Sequence, residues 1–235
     1  MDKAAADPNG LALVIGSGGI GSALSAQLLS SGRYAQVQLL GRRSTPAIDY
    51  ADEASLAHAA AEIAAQGLAL RLLLVVTGFL HGNAGQPERS WLQLDAEYLQ
   101  HTFLVNAIGP ALVLKHFFPL LPSKGRCVAG FVSARVGSIG DNALGGWYGY
   151  RASKAALNQL VKTASIELAR RNRQALCVAL HPGTVATALS QPFAKTGLEV
   201  RPPEEAARDL LAVLDGLQPA NSGGFFGYRG EKLPW

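Results

Sequence analysis

Residues 11–15, Leu-Ala-Leu-Val-Ile, form an unbroken apolar run that stops at Gly16-Ser17-Gly18-Gly19-Ile20-Gly21, after which apolar residues return at helical spacing over 20–29. Strand, tight turn and helix in that order begin a βαβ unit and leave little else open. The rest of the chain keeps the alternation, with strands expected at 36–40, 70–76, 126–133, 175–180 and 225–228 and helices at 52–66, 105–121, 150–172 and 202–217. These strands are too uniformly apolar to have a wet face, so the pattern predicts an α/β fold in which a doubly wound parallel sheet of the Rossmann kind is covered by helices on both sides. A chain of 235 residues, 49% of them hydrophobic, buries enough core for a single domain over 1–235. In such sheets ligands bind at the carboxyl ends of the strands beside the topological switch point. The stretch 184–201 is long enough to form a substrate flap.

Charge narrows the partners. Lys and Arg outnumber Asp and Glu by 21 to 17, but no basic run forms a nucleic-acid track, and the mild excess suits an anionic small ligand. Cys127 and Cys177 sit inside apolar strands, where a thiol behaves as a small hydrophobe, and no metal is expected. The N-terminus has no basic start followed by an apolar core, and no apolar stretch approaches ~20 residues, so the expectation is a cytoplasmic protein with no membrane partner.

The glycine turn opens a helix directly after a strand, where backbone can approach a pyrophosphate at the helix N-terminus. Gly16, Ser17, Gly19, Ile20 and Gly21 are therefore candidate cofactor contacts. At the end of the second strand, where a carboxylate would hold ribose hydroxyls, the chain reads Leu40-Gly41-Arg42-Arg43-Ser44. An arginine there can fork onto a 2′-phosphate, which favours NADP(H) over NAD(H), the alternative being two solvated loop charges. Asp49 is either an acceptor for the adenine amino group or a residue that starts the next helix.

Tyr150-Arg-Ala-Ser-Lys154 begins the long helix, and a four-residue offset puts both side chains on one face. A phenol is a poor base near neutral pH, and a neighbouring ammonium favours its ionised form, so Lys154 is expected to tune Tyr150. Tyr148 has Ala152 in the corresponding position, which decides between the two tyrosines.

With these residues in order, the chain resembles the short-chain dehydrogenase/reductase family over essentially its whole length. The landmarks are the glycine turn, Thr77-Gly78, Asn106, Ser133, Tyr150 with Lys154, and Pro182-Gly183-Thr-Val-Ala-Thr187. The stretch from Ser133 to Lys154, with the ending Gly-Tyr-Arg-Gly-Glu-Lys-Leu-Pro-Trp235, is most similar to the C-factor and sniffer-type carbonyl-reductase branch. The resemblance implies that Tyr150 exchanges a proton with the substrate oxygen and that Lys154 also bonds the nicotinamide ribose. It implies that Asn106 holds a water relaying protons from Lys154, a buried amide at a backbone kink being the other reading. It further implies that Pro182 and Gly183 set the backbone of Val185 against the carboxamide, with Thr187 near the pyrophosphate.

Three positions depart from the family's pattern. The glycine turn is one residue short, the usual Asn-Asn-Ala-Gly is reduced to Val75-Val76-Thr77-Gly78, and the family's catalytic serine falls on Ala134. Ser133 at the strand end is favoured over Ser138 as its replacement, and Phe79 is expected to pack where the asparagine is missing. The function expected is reduction of an aldehyde, ketone or quinone with an apolar part, Trp147, Leu189 and Phe193 lining its pocket. The alternative is a cofactor-binding signalling protein on the same fold. A homodimer or homotetramer is expected through the helices at 105–121 and 150–172, although Leu157, Leu160, Val161 and Ala164 could equally face the sheet.

Overall fold

In the computed structural model, which describes residues 7–193 and 199–235, the predicted alternation becomes two layers of helix around a parallel sheet. The strands are β1 (Asp7–Ile15), β2 (Tyr34–Leu40), β3 (Ala69–Val75), β4 (Cys127–Val132), β5 (Ala175–His181), β6 (Thr184–Val185), β7 (Val200–Arg201) and β8 (Phe225–Gly227). The helices are α1 (Gly19–Ser31), α2 (Glu53–Ala65), α3 (Ala96–Phe103), α4 (Gly109–Phe117), α5 (Tyr148–Arg171) and α6 (Pro203–Gly216). The main sheet runs β2-β1-β3-β4-β5-β8, while β6 and β7 pair with each other. After β1 the chain moves outward to β2 and then returns past β1 to β3, so the topological switch lies between β1 and β3.

Burial explains the unbroken apolar runs. Leu11, Leu13 and Ile15 point to one face, against Leu56, Ile63, Phe117, Leu157 and Val161 of α2, α4 and α5. Ala12 and Val14 point to the other, against Leu24, Leu28, Leu210 and Leu214 of α1 and α6. Each large side chain taken from water in this way contributes roughly 1.5–3 kcal/mol. Both thiols are buried as expected, Cys127 at 1% and Cys177 at 0% exposure, and burial raises both pKa values, keeping them protonated.

Several expectations need correction. The helix placed at 105–121 starts at Ala96, because Asp95 caps it by accepting from the Tyr98 amide, and it is interrupted by a π turn at Leu104–Ile108. The whole helical run, Ala96–Leu120, has 25 residues, but Glu97, Gln100, His101, Asn106, Lys115 and His116 interrupt it, so it is not a continuous apolar stretch. It packs into the protein through Tyr98, Asn106, Val113 and Phe117. On α5, of the two orientations left open, Leu157 and Val161 take the one facing the sheet, and the partly buried Ala164 packs against the same core. Leu160 is half-buried, and Ile108 and Ile166 are exposed large apolar residues of the two helical runs. The N-terminal residues 1–6 and residues 194–198 of the expected flap lie outside the described residues.

Candidate active site

A cleft of about 820 Å³ opens over the carboxyl ends of β1, β3, β4 and β5. Gly16 has φ +119, a conformation that L side chains rarely adopt, and its amide donates to Leu40 O. A Cβ on Gly21 would lie 1.7 Å from Gly16 O, so the shortened turn still requires a glycine where it folds back on α1. Gly18 caps α1 without a side-chain bond and the first turn carries no acidic residue, which leaves the positive end of the helix facing the cleft unneutralised. Gly16, Ser17, Gly19, Ile20 and Gly21 all line this end, as predicted. Backbone room and an open helix N-terminus together fit a pyrophosphate.

Beyond β2 the two arginines part. Arg42 lines the cleft, whereas Arg43 is exposed and is not part of its wall. Asp49 also lines the cleft, but its Oδ1 accepts from the Ala51 amide, and the cap of α2 is Asp52, which accepts from Ala54. Beside it lies Tyr50, which sequence reasoning missed. Its hydroxyl bonds Thr77 Oγ1 at 3.0 Å, and its ring fills the space that a Cβ on Gly109 would occupy, 2.0 Å away. The signal available was a glycine at the start of α4 with no turn to form.

At the other end, Tyr150 and Lys154 both line the cleft on one face of α5, 8% and 2% exposed. Burial raises the Tyr150 pKa, with a smaller push from Tyr98, and lowers that of Lys154 to about 8. The expected tuning of the phenol by the ammonium is not what this geometry produces. Lys154 Nζ donates to Val132 O at 3.0 Å and lies 6.0 Å from the Tyr150 ring centroid, so desolvation outweighs their attraction. Near neutral pH Tyr150 is therefore a phenol with a proton to give.

Asn106 sits in the π turn with its amide committed. Its Oδ1 accepts from the Phe79 amide at 2.8 Å, and its Nδ2 donates to Phe79 O and Ser153 Oγ. The side chain thus clamps the backbone after Thr77-Gly78, which is the buried-amide reading, and its Nδ2 and Oδ1 have protein partners where a relay water was expected. Ser133 requires a similar correction: its only proton goes to Asn158 Oδ1 at 2.7 Å, so it is not a free donor at the site. Ser138 donates to Trp235 O. The residue of this trio that reaches the cleft without a polar group is Ala134.

Pro182, Gly183, Val185 and Thr187 complete the wall, and Gly183 (φ +79) lets the strand turn there. Val185 pairs with Arg201 across β6 and β7, and its carbonyl accepts from Ser190. The apolar lobe beside Tyr150 contains the three predicted residues. Trp147 lies 5.2 Å edge-on from Phe193 and 6.2 Å from the Tyr150 ring, and Leu189 also lines the cleft. Phe79, packed edge-on against His101 at 4.5 Å, stands in the wall where the family's asparagine is absent. His81, 5.3 Å from Phe193, and His181, whose pKa burial lowers to about 4, are further neighbours that no motif announced.

A parallel sheet with a phosphate-type cradle at its switch point and a buried tyrosine–lysine pair across the same cleft defines a dinucleotide-dependent oxidoreductase fold. Residues 25–204 match the family described as enoyl-(acyl carrier protein) reductase. The C-signal protein of Myxococcus xanthus is 39% identical over 148 residues, 62% of this chain and 85% of its own length. A 1-hydroxy-2-glutathionyl-2-methyl-3-butene dehydrogenase of Rhodococcus sp. (strain AD45) is 31% identical over 237 residues, 95% of this chain and 98% of its own. Among solved structures, an NADPH-bound carbonyl reductase from chicken fatty liver superposes with a TM-score of 0.82 at 25% identity, covering 95% of this chain and 98% of that one. The chain belongs to the short-chain dehydrogenase/reductase family, on its C-factor and carbonyl-reductase side.

Proposed function

We propose that this protein is an NADP(H)-dependent reductase of an aldehyde, ketone or quinone, with Tyr150 as the proton donor. The observation that carries the reading is that one cleft joins the open N-terminus of α1 to the buried Tyr150–Lys154 pair. Gly16–Gly21 would hold the pyrophosphate, Arg42 the 2′-phosphate, and Lys154 the nicotinamide ribose. Bound NADPH supplies the hydride that reduces the carbonyl carbon. Tyr150 then gives its proton to the oxygen left behind, the Lys154 ammonium stabilises the resulting phenolate, and solvent reprotonates it. Trp147, Phe193 and Leu189 exclude water from the substrate's apolar part. The NADPH-bound chicken reductase supports the choice of cofactor.

A second reading, a cofactor-binding signalling protein, is favoured by Ala134 where the family has a serine, together with the C-signal likeness. Titration of NADPH and NADH into wild type and Tyr150→Phe, followed by nicotinamide fluorescence and then a panel of aldehydes, ketones and quinones, separates the two. Binding by both proteins with turnover only in wild type supports the reductase. Binding without turnover in either supports signalling. A homodimer or homotetramer is proposed for either case, and sedimentation would test it.

A further inference from the structure

Glu88 belongs to none of the motifs above, yet its side chain is almost entirely withdrawn from water, at 2% exposure. It comes from the long connection between β3 and α3 and reaches the start of α5. Both carboxylate oxygens accept from the Gly149 amide, at 3.1 and 3.2 Å, and the Glu88 carbonyl accepts from the Trp147 amide at 2.5 Å.

These bonds meet a specific local need. α5 begins at a cap residue, Trp147, that provides no capping side chain. The first amides of a helix need acceptors from elsewhere. Glu88 supplies one from across the fold, and its negative charge lies at the positive end of a 24-residue helix. The turn before the helix is also unusual. Gly145, Gly146 and Trp147 follow one another in left-handed conformation, and Trp147 (φ 53) is the one non-glycine with positive φ among the described residues. A bulky residue stays there only where its surroundings hold it. Gly149 is hemmed in as well, since a Cβ would come within 3.0 Å of Leu99 and 3.1 Å of Glu88 Oε1.

We propose that Glu88 is a positioning residue: its carbonyl pins Trp147 as the wall of the substrate lobe, and its carboxylate fixes the first turn of α5 so that Tyr150 is aimed at the substrate oxygen. The rate effect rests on the reading of Tyr150 as proton donor; the clamp itself does not. Because the bond to Trp147 is made by main chain, side-chain variants isolate the carboxylate's part.

The test compares Glu88→Gln, Glu88→Asp and Glu88→Ala with wild type in NADPH affinity, in kcat and KM for benzaldehyde, and in hydrogen exchange of the amides at 148–151. Glu88→Ala is expected to lose kcat at least about tenfold, the scale of a small misplacement of a catalytic group, and to exchange faster at 148–151, while its NADPH Kd stays within about twofold. Glu88→Gln keeps an oxygen for the Gly149 amide and should recover most of both properties. Glu88→Asp, one methylene short but still charged, should fall between, and it decides the matter if the alanine variant does not fold. Wild-type kcat and exchange in the aspartate and alanine variants would overturn the proposal, as would a glutamine variant no better than alanine or a loss confined to NADPH affinity. Should wild type reduce none of the carbonyls, the Tyr150 reading fails, while exchange still decides the clamp: quickened in alanine supports it, unchanged overturns it.

Discussion

Lys154→Met is expected to make the nucleotide-free protein more stable at neutral pH while abolishing turnover. The amine is 2% exposed and burial pulls its pKa from 10.5 to about 8. A group depressed this far binds fewer protons in the folded than in the unfolded chain between those two values, so its contribution to stability rises with pH across that window. Below pH 8 the folded protein carries the full cost of a buried ammonium, roughly 3 kcal/mol. Methionine preserves most of the volume and removes that cost, but it also removes the bond to Val132 O, worth about 1 kcal/mol. The net gain at pH 7 is then about 2 kcal/mol, or roughly 4–8 °C in melting temperature for a domain of this size. Thermal melts of both proteins without nucleotide, at pH 7 and again near ~10.5, measure the difference directly. By the higher pH the lysine is neutral in the folded chain and about half charged in the unfolded one, so the buried-charge cost is nearly gone and the advantage should vanish or slightly reverse. A wild type more stable than the variant at pH 7, or a gap indifferent to pH, would refute the argument that Lys154 is kept at a cost to the fold.

Gly21→Ala sets a Cβ 1.7 Å from Gly16 O, and a backbone shift that relieves such overlap should cost about 1–3 kcal/mol of stability and at least about tenfold in NADPH affinity, read by urea unfolding and by fluorescence titration. Arg42→Ala should weaken NADPH binding about tenfold, the worth of a charge-assisted pair, and leave NADH unchanged, whereas Arg43→Ala, outside the cleft, should alter neither. Ala134→Ser places a hydroxyl in the cleft wall where the family carries one; since losing one such donor costs about 10²–10³ in rate, steady-state assays should find kcat raised by at least about tenfold.

The sheet was legible because both of its faces are buried. A run such as 11–15 can be little else, and the glycine turn fixes which way the chain goes next. The cofactor end was legible for the same reason, since backbone approach leaves glycines in the sequence. Less could be read wherever a side chain's role depends on a partner distant along the chain. Ser133 looked like a donor until Asn158, 25 residues on, was found to take its proton. Asn106 looked like a relay until it paired with Phe79. The tyrosine–lysine offset predicted a shared face, but not that Val132 O would draw the ammonium or that burial would raise the phenol. Tyr50 and Glu88 left no periodic trace, because each acts from a loop on an element elsewhere.

Three irregular stretches of backbone meet at one cleft, and each is held by a buried or half-buried residue. Asn106 locks the π turn to Phe79, Glu88 holds the left-handed turn through its carbonyl and the first turn of α5 through its carboxylate, and the Tyr228 ring packs against Gly183 while Arg201 lies 4.2 Å over that ring. Spending polar groups in this way rigidifies the walls. It also leaves Tyr150 as the hydroxyl beside the aromatic lobe that carries no committed proton among the bonds described, with Ser133 and Ser138 both occupied. Pre-organisation of this kind favours a proton donor whose aim is set before the substrate arrives, and it concentrates the consequences of mutation. Changes at the Glu88 clamp should therefore appear in kcat before they appear in cofactor affinity, because the glycine cradle at the far end of the cleft packs on Val76, Thr77 and Thr187 and not on the start of α5.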